Sequence, residues 1–334
     1  MTQDFRADLD LSAPLARLSG VATIAICLAL PAAVLAQGAW PDKPIRVVLP
    51  FPPGGPSDIV MRVASEKMQA ALKTNVMVEN KPGAGGNIGS ADVARAAPDG
   101  YTWLWGTDTL LTVNPHVYRQ LPFKVDDLQP VTIGTRFSQT LVCNPALGVK
   151  TLGELIAKAR TTPLSYASGG AGVPGHLSME LLKSMGRFDM NHVPYKGPAP
   201  ATLDVIGNQV PCGLLAGPTV LPHVRSGKLV ALAVSGSARS QTLPEVPTMA
   251  EAGITGYAAD FTLVLYAPRG TPAPIVSRFR EAFVAALAVP AVAERLAATD
   301  QVAVGSTPEE ASTQLAADSK KWGEVARHVG LGLD

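Results

Sequence analysis

Two glycine-rich stretches stand out for the chemistry they could do. The first glycine loop, residues 50–58, reads PFPPGGPSD, and the second glycine loop, residues 81–89, reads KPGAGGNIG. Glycine lets the main chain approach a bound molecule closely because no Cβ stands in the way. Each loop also leads into a predicted helix, whose first N–H groups and positive dipole end attract negative charge. Together the loops predict a site for a small anion.

The elements that flank these loops place them next to each other. Residues 45–49 predict a buried strand, residues 59–72 carry apolar side chains at helical spacing, and residues 76–78 predict a second strand. Strands joined in this way are parallel, and open α/β folds bind ligands at the carboxyl edge of such strands. We therefore expect both loops at one edge of one sheet, beside the end of a third strand at residues 101–105.

The same alternation of helices and short strands recurs between residues 152 and 234, around a third glycine loop, SGGAGVPGH, at residues 168–176. Long apolar stretches at residues 131–143 and 259–270 predict two crossings between lobes. We predict an α/β fold of two doubly wound lobes joined by two crossing strands. The first lobe is expected to hold residues 39–137 and 262–334, and the second lobe residues 138–261.

Neither a catalytic set nor a metal set accompanies the loops. Gly55, Pro56 and Ser57 begin a hydrolase nucleophile elbow, but Ile59 stands where the final glycine is required. GAGGNIG misses the third spacing of a dinucleotide fingerprint by one residue. The five histidines show no HxxxH or HExxH spacing. We predict no catalytic residue, no metal and no cofactor.

Several polar residues have two interpretations that the sequence leaves open. Ser57 and Asp58 are expected to cap a helix and brace the first glycine loop, and Ser57 is also a candidate ligand donor. His176 follows the third glycine loop and could donate to a ligand or lie on the surface at a helix start. Tyr195 and Lys196 could face the cleft, and Lys196 is either a counter-ion or a solvated charge. Residues 83–89 could also be a tight turn without a ligand.

The N-terminal residues predict an export signal. Arg6 and Arg17 precede an apolar run at residues 21–36 that ends in the small-residue sequence Val34-Leu35-Ala36. We expect residues 1–36 to be a cleavable signal peptide and the mature protein to be periplasmic. An uncleaved anchor stays open as the alternative.

Charge and cysteine content narrow the function further. The formal net charge of the 334 residues is +1, without a basic run, which excludes nucleic acid as a partner. Asp108 is expected to be a solvated or capping residue, since an anion site does not favour a nearby carboxylate. Cys143 and Cys212 lie in apolar, strand-like runs, which favours two buried thiols over a disulfide, although their pairing stays open.

Seven motifs in fixed order resemble one family. They are PDKPIRVVLPFPPGGPSDIV, VENKPGAGGNIGS, APDGYT, LSYASGGAGVPGHL, HVPYKGPAPA, LPEVPTMAEAGITGY and APRGTP, and the resemblance covers residue 40 to about residue 322. The chain resembles the substrate-binding proteins of tripartite tricarboxylate transporters, also called Bug receptors. The resemblance implies a periplasmic binding protein fold of type II, a monomer that closes over a small carboxylate, and a membrane permease of two further subunits as its partner.

The motifs also assign ligand-binding residues. Those implied by the resemblance are Gly54, Gly55, Ser57, Asp58, Ala84, Gly85, Gly86, Ser168, Gly169 and Gly170. His176 and Tyr195 are further candidates because of their places next to predicted loops. The chain departs from the family at Pro56, where Thr or Ser is usual, and at residues 261–263, which read FTL where Trp-Phe-Gly is frequent. These departures leave the identity of the acid open.

The sequence therefore predicts an exported, non-enzymatic receptor that captures a small organic acid and delivers it to a membrane permease. Two alternatives stay open. One is a ligand-sensing module that reports to a signalling partner, and the other is an enzyme that uses the same anion crevice. Turnover of acid esters or phosphoesters favours the enzyme, whereas neighbouring genes for two membrane subunits favour the transport receptor.

Overall fold

Two mixed β-sheets organise residues 40–332, the part of the chain that this computed structural model describes. The predicted signal peptide, residues 1–36, lies outside the described residues. In the first lobe the chain order is β1 (Ile45–Leu49), α1 (Pro56–Leu72), β2 (Val76–Asn80), α2 (Asn87–Ala94), β3 (Thr102–Thr107), α3 (Thr109–Thr112), α4 (Asn114–Val117) and β4 (Leu128–Phe137). β1 pairs in parallel with both β2 and β3, so the predicted strand–helix–strand unit is confirmed.

The second lobe continues the alternation of strands and helices. Its elements are β5 (Gln139–Cys143), α5 (Leu152–Ala159), β6 (Ser165–Ser168), α6 (Pro174–Gly186), β7 (Asn191–Pro194), α7 (Pro198–Ile206), β8 (Cys212–Ala216), α8 (Gly217–Arg225) and β9 (Val230–Val234). Their sheet has the strand order β7-β6-β8-β5-β9. The sequence patterns do not predict α8, because Pro218 and Pro222 interrupt its helical pattern.

The chain then returns to the first sheet through β10 (Phe261–Pro268), α9 (Ala273–Leu287), α10 (Pro290–Ala298), β11 (Gln301–Ala303) and α11 (Pro308–His328). The completed first sheet has the order β11-β4-β10-β3-β1-β2, with β10 antiparallel to β3 and β4. The predicted α/β fold of two lobes is therefore confirmed, while the residue limits of the lobes stay a prediction. Within residues 40–332, each helix is too short or too polar to span a bilayer.

Ser235 ties together the two passages between the sheets. One passage is at Ser138, between β4 and β5, and the other lies between Ala259 and β10. The buried Ser235 hydroxyl accepts a hydrogen bond from the main-chain N–H of Gln139 at 2.9 Å and donates one to the main-chain carbonyl of Ala259 at 2.7 Å. The two crossing segments are therefore fixed to each other where the lobes meet.

An aromatic core holds the start of α1 in place. Trp103 and Trp105 of β3 are buried against Phe279 and Phe283 of α9, with ring centroids 4.0 Å and 4.9 Å apart. The indole Nε1 of Trp105 donates to the Ser57 carbonyl at 2.9 Å. Burial of such large rings is a major source of stability. Here it also anchors the helix that follows the first glycine loop.

Cys143 and Cys212 form a disulfide, so the interpretation of two free thiols is wrong. The two cysteines are register partners on the adjacent antiparallel strands β5 and β8, with Cα atoms 4.0 Å apart. They are 69 residues apart in the sequence. Sequence analysis could not pair them, because the register of two distant strands depends on tertiary packing.

Candidate ligand-binding site

Two adjoining cavities lie between the lobes, at the carboxyl ends of the parallel strands. The small chamber, of about 50 Å³, is lined by Gly55, Pro56, Ser57, Thr107 and Leu263 of the first lobe and by Gln139, Gly175, Pro198 and Ala216 of the second. The large chamber, of about 540 Å³, is lined by residues 82–86, Ile88 and Tyr118 of the first lobe and by Gly170, Ala171 and residues 194–197 of the second. Phe51, Gly169 and Val173 line both chambers, which therefore adjoin.

Four helices begin at the wall of the small chamber. They are α1 at Pro56 and, from the second lobe, α6 at Pro174, α7 at Pro198 and α8 after Ala216. Proline suits the first position of a helix because its fixed φ and missing N–H cost nothing there. The N–H groups of each first turn have no partner within their own helix. Each helix dipole favours a nearby anion by about 0.3–1 kcal/mol.

The small chamber combines these helix starts with neutral polar side chains. Ser57, Thr107 and Gln139, each buried, bring hydroxyl and amide groups to its wall. Among the described residues, those that line this chamber are all uncharged. The main-chain dipoles therefore meet no opposing carboxylate there, and the chamber suits one negatively charged group.

Gly54 and Asp58 brace the first glycine loop from outside both chambers. The Gly54 amide donates to Asp58 Oδ2 at 3.0 Å, and Asp58 Oδ1 accepts from Arg62 Nε at 2.9 Å and from Asn80 Nδ2 at 3.2 Å. Burial raises the pKa of Asp58, but these three hydrogen bonds outweigh it and hold the pKa below its ordinary value. The predicted brace is present, whereas the N-cap of α1 is Gly55 rather than Ser57 or Asp58, because Pro56 occupies the first helical position.

The second glycine loop lines the large chamber with Ala84, Gly85 and Gly86, which form a single 3₁₀ turn. Gly85 has φ +61°, and a Cβ there would lie 2.5 Å from the Tyr118 hydroxyl and 3.2 Å from the Ala171 carbonyl of the other lobe. Only a residue without a side chain fits this close approach. The Gly86 amide donates to the Gly83 carbonyl at 3.0 Å, so that N–H is used within the loop.

The third glycine loop contributes Gly169 to both chambers and Gly170 to the large one. Ser168 and His176 line neither chamber and are buried behind the loop. The Ser168 hydroxyl donates to the Gly170 carbonyl at 2.8 Å, and Nδ1 of His176 accepts from the Gly172 amide at 3.0 Å. The structure thus places both side chains where they support the loop.

Tyr195 and Lys196 lie in the wall of the large chamber. The Tyr195 hydroxyl donates to Asp204 Oδ2 at 2.6 Å, and burial together with that carboxylate raises the pKa of Tyr195 to about 12. Lys196 is exposed. Of the described residues that line the large chamber, Lys196 is the one with a charged side chain. A ligand that extends from the small chamber into the large one therefore meets one cation.

Asp108 is buried at the end of β3 and caps α3, where its Oδ1 accepts from the Thr109 amide at 3.0 Å. The capping interpretation is correct and the solvated one is wrong. Burial, followed by the nearby Asp318 carboxylate, raises the pKa of Asp108 well above its ordinary value. Asp108 lines neither chamber, whereas the preceding Thr107 does, as expected for the end of this strand.

Sequence patterns do not single out several residues of the chamber walls. Phe51 lies in the first glycine loop, but its side chain carries no binding signal of its own. Gln139 and Tyr118 lie in segments that show no binding motif, and Tyr118 reaches Gly85 only through the fold. Glycine followed by proline, as in residues 55–56, 197–198 and 217–218, is the signal that could have found three of the helix starts. Within residues 40–332, His, Cys, Asp and Glu do not gather in a group of three that could hold a metal ion.

Comparison with known proteins decides the family. Residues 60–331 match the family described as the tripartite tricarboxylate transporter family receptor. The chain belongs to this receptor family. Its members are receptors rather than enzymes, so the expectation of a non-enzymatic protein is confirmed. The predicted resemblance to Bug proteins is confirmed as well.

The matches to individual relatives extend over most of this chain and nearly all of each relative. Protein BugT of Bordetella pertussis is 37% identical over 321 residues, which is 95% of this chain and 98% of BugT. The solved structure of Rhodopseudomonas palustris Rpa4515 with adipate has a TM-score of 0.84 and 31% identity, and the match covers 88% of this chain and 99% of that one. MatC from Rhodopseudomonas palustris with bound malate has a TM-score of 0.80 and 30% identity, over 85% of this chain and 99% of that one.

Proposed function

We propose that this receptor captures a small organic carboxylate between its lobes in the periplasm and delivers it to the membrane permease of a tripartite tricarboxylate transporter. The observation that carries the proposal is the small chamber, where four helix starts from two lobes meet without an acidic side chain. Charge-assisted hydrogen bonds contribute about 1.5–3 kcal/mol each. A few of them, added to the helix dipoles, account for an affinity of about micromolar, which corresponds to about 8 kcal/mol.

The sizes and linings of the two chambers support a ligand that has one carboxylate group and a larger organic remainder. One carboxylate fits the small chamber, and the rest of the acid extends past Phe51 into the large chamber. The large chamber combines the apolar side chains of Ile88 and Val173 with the exposed Lys196. The relatives solved with adipate and with malate hold dicarboxylates, in agreement with a ligand that carries a second polar end.

Closure of the lobes is the proposed working step. Residues of both lobes line each chamber, so the full set of ligand contacts exists only when the lobes are together. Binding therefore shifts the population toward the closed form. The permease subunits then recognise the closed receptor as loaded. Residues 1–36 direct the chain to the periplasm, a location supported by relatives described as periplasmic proteins.

A thermal-shift screen tests ligand capture. The purified chain is heated with mono-, di- and tricarboxylates, aromatic acids and amino acids, and each hit is paired with its uncharged amide. An acid at about 100 times its dissociation constant stabilises the folded form by about 2.7 kcal/mol. We expect at least one acid to raise the melting temperature and its amide to have no effect. Equal shifts with acid and amide, or no shift with any acid, contradict the proposal.

Delivery needs a separate experiment. Uptake of a radiolabelled acid identified in the screen is measured in cells that make candidate large and small permease subunits, with and without the receptor. We expect uptake only when the receptor is present. Uptake that is equally fast without the receptor contradicts delivery, and leaves ligand capture to be judged by the thermal shifts.

A further inference from the structure

Two histidines stack behind the third glycine loop. The imidazoles of His176 and His192 are nearly parallel, at an interplanar angle of 9°, with centroids 3.8 Å apart. His176 is in the first turn of α6, which follows the loop, and His192 is on β7, which pairs with the strand β6 that precedes the loop, so the stack joins α6 to this edge of the sheet. Tyr166 of β6 continues the stack, at a centroid distance of 5.0 Å from His192.

Both histidines act on the main chain of the loop. Nδ1 of His176 accepts a hydrogen bond from the Gly172 amide at 3.0 Å. The Ser168 hydroxyl donates to the Gly170 carbonyl at 2.8 Å and accepts from the Gly170 amide at 3.2 Å. Because that hydroxyl has a single proton, Nε2 of His192, 2.6 Å from Ser168 Oγ, acts as the donor. His176 thus needs an unprotonated Nδ1, and His192 needs a proton on Nε2.

We propose that His176 and His192 are positioning residues that hold the third glycine loop in the shape that lines both chambers, and that they do so only while the His176 imidazole is neutral. This role goes beyond ligand capture. It rests on the proposed function only in one respect, namely that the third glycine loop binds the ligand. Gly169 and Gly170, which the stack supports through Ser168 and Gly172, are among the residues that this loop contributes to the chamber walls.

The surroundings of the stack disfavour a positive charge. Glu180 Oε1 is the carboxylate oxygen that faces His176, at 3.9 Å from Nε2, but it already accepts from Lys183 Nζ at 2.9 Å and from the Tyr166 hydroxyl at 2.8 Å. Lys183 also pairs with Asp189 at 2.9 Å. Lys183 therefore competes with an imidazolium for Glu180, and its own positive charge opposes protonation of His176. Among described residues, these and His192 are the titratable groups that the contacts place around His176.

Burial is the main reason that both imidazoles stay neutral. It lowers the pKa of His176 to about 4, with a smaller contribution from Lys183. It lowers the pKa of His192 to about 3, followed by the proximity of His176. A proton on Nδ1 of His176 turns the acceptor into a donor, which then faces the Gly172 amide, another donor. Protonation of His192 as well would place two positively charged imidazoles in a stack with centroids 3.8 Å apart. Acid therefore releases the loop.

Three variants separate positioning from general stability. In His176→Asn, the side-chain oxygen replaces Nδ1 as the acceptor but does not titrate. In His176→Leu, the acceptor is lost at every pH. His328→Asn is the matched control, because His328 is exposed in the last turn of α11. For each protein without added ligand, ¹⁵N NMR reports the protonated nitrogen of each imidazole and the exchange protection of the Gly170 and Gly172 amides from pH 7.5 to pH 4.

We expect an unprotonated Nδ1 on His176 at pH 7.5 and a loss of Gly172 protection, after correction for the intrinsic pH dependence of exchange, as the pH falls toward 4. His176→Leu should lose at least tenfold in Gly172 protection at pH 7.5, whereas His176→Asn should keep it at both ends of the range. His328→Asn should match the unaltered chain. Unchanged Gly172 protection in His176→Leu, or the same pH dependence in His176→Asn, overturns the proposal.

The affinity for an acid found in the screen provides a second readout. His176→Leu should bind it at least tenfold more weakly at pH 7.5. His176→Asn should bind it as tightly as the unaltered chain at pH 7.5 and should lose less affinity in acid than the unaltered chain, in which protonation of the ligand and of His176 both weaken binding. Equal affinity in all three variants overturns the link between the stack and binding. If no acid binds, the proposed function fails, while the amide protection still decides whether the histidines position the loop.

Discussion

The main-chain amide of Gly54 donates a hydrogen bond to the Asp58 carboxylate at 3.0 Å, and this contact folds the first glycine loop back onto the helix that it precedes. The same carboxylate accepts hydrogen bonds from Arg62, one turn further along α1, and from Asn80 at the end of β2. Asn80 also donates to the Phe51 carbonyl at 2.9 Å. One acidic side chain thus fixes the loop that contributes Gly55 and Ser57 to the small chamber.

Replacing Asp58 by alanine should therefore weaken both folding and binding. The change leaves the Gly54 amide and Arg62 Nε without their acceptor, and we expect the free energy of unfolding to fall by about 1–3 kcal/mol. Urea denaturation measures that loss, and calorimetric titration with a screened acid should show weaker binding. Glu66→Ala, an exposed acid on the same helix, is the control and should change neither quantity. Binding that is unaffected by Asp58→Ala contradicts the assigned role.

Gly85→Ala should impair closure rather than folding alone. The substitution forces a Cβ to within 3.2 Å of the Ala171 carbonyl of the opposite lobe, at a φ of +61° that costs about 1–2 kcal/mol for any other residue. Gly148→Ala pays a similar backbone cost at φ +75°, but nothing lies within 4 Å of its Cβ. We expect a larger loss of stability in Gly85→Ala, because its Cβ also displaces the Tyr118 hydroxyl, and an affinity loss of about tenfold or more in that variant alone. Equal affinities would count against close approach of the lobes at Gly85.

Lys196→Met should change selectivity between acids. Lys196 provides the positive charge of the large chamber, so it can contact a second carboxylate but offers little to an aliphatic end. With adipate and hexanoate, which have the same number of carbon atoms, we expect about a tenfold loss of affinity for the diacid and little change for the monoacid. Lys228→Met, at an exposed site outside both chambers, is the control. Parallel losses for both acids contradict a role in selectivity.

The stacked histidines should make the protein less stable in mild acid. The pKa of His176 is lowered from an ordinary 6.5 to about 4, so the unfolded chain binds its proton first and stability falls as the pH drops from about 6.5 toward 4. This one group should lower the free energy of unfolding by about 2 kcal/mol between pH 8 and pH 5. Denaturation of the unaltered chain and of His176→Asn at both pH values measures the difference. Identical pH dependence in the two proteins would exclude His176 as the source.

The disulfide should stabilise the second lobe. Replacing Cys143 and Cys212 together by alanine frees the unfolded chain across a separation of 69 residues, and we expect a loss of about 2–4 kcal/mol in the free energy of unfolding. Peptide mapping without reduction should recover the two cysteines in one linked product. Recovery of both as free, alkylated thiols contradicts the bond, and dithiothreitol treatment of the unaltered chain should reproduce the loss of stability.

Much of the fold could be predicted from local patterns. The continuous apolar run at residues 45–49 predicts β1, a strand that is buried on both faces. The apolar residues at helical spacing that follow it predict α1, a helix that is buried on one face. The order of motifs was sufficient to predict the family and the two lobes. Helix α8 escaped prediction because its prolines break the helical pattern locally, while packing in the second lobe still supports the helix.

The sequence by itself determined the glycine loops and their places after strands, and from these it predicts an anion site at the sheet edges. Only the tertiary structure decided which residues serve the site and which support it: Gly55 and Gly169 line a chamber, whereas Asp58, Ser168 and His176 hold loops from behind. It also decided that Cys143 meets Cys212. The reason is physical. Backbone conformation and periodicity depend on neighbours in the chain, but the direction of a side chain, its burial and its hydrogen-bond partners depend on elements that are distant in sequence and adjacent only after folding.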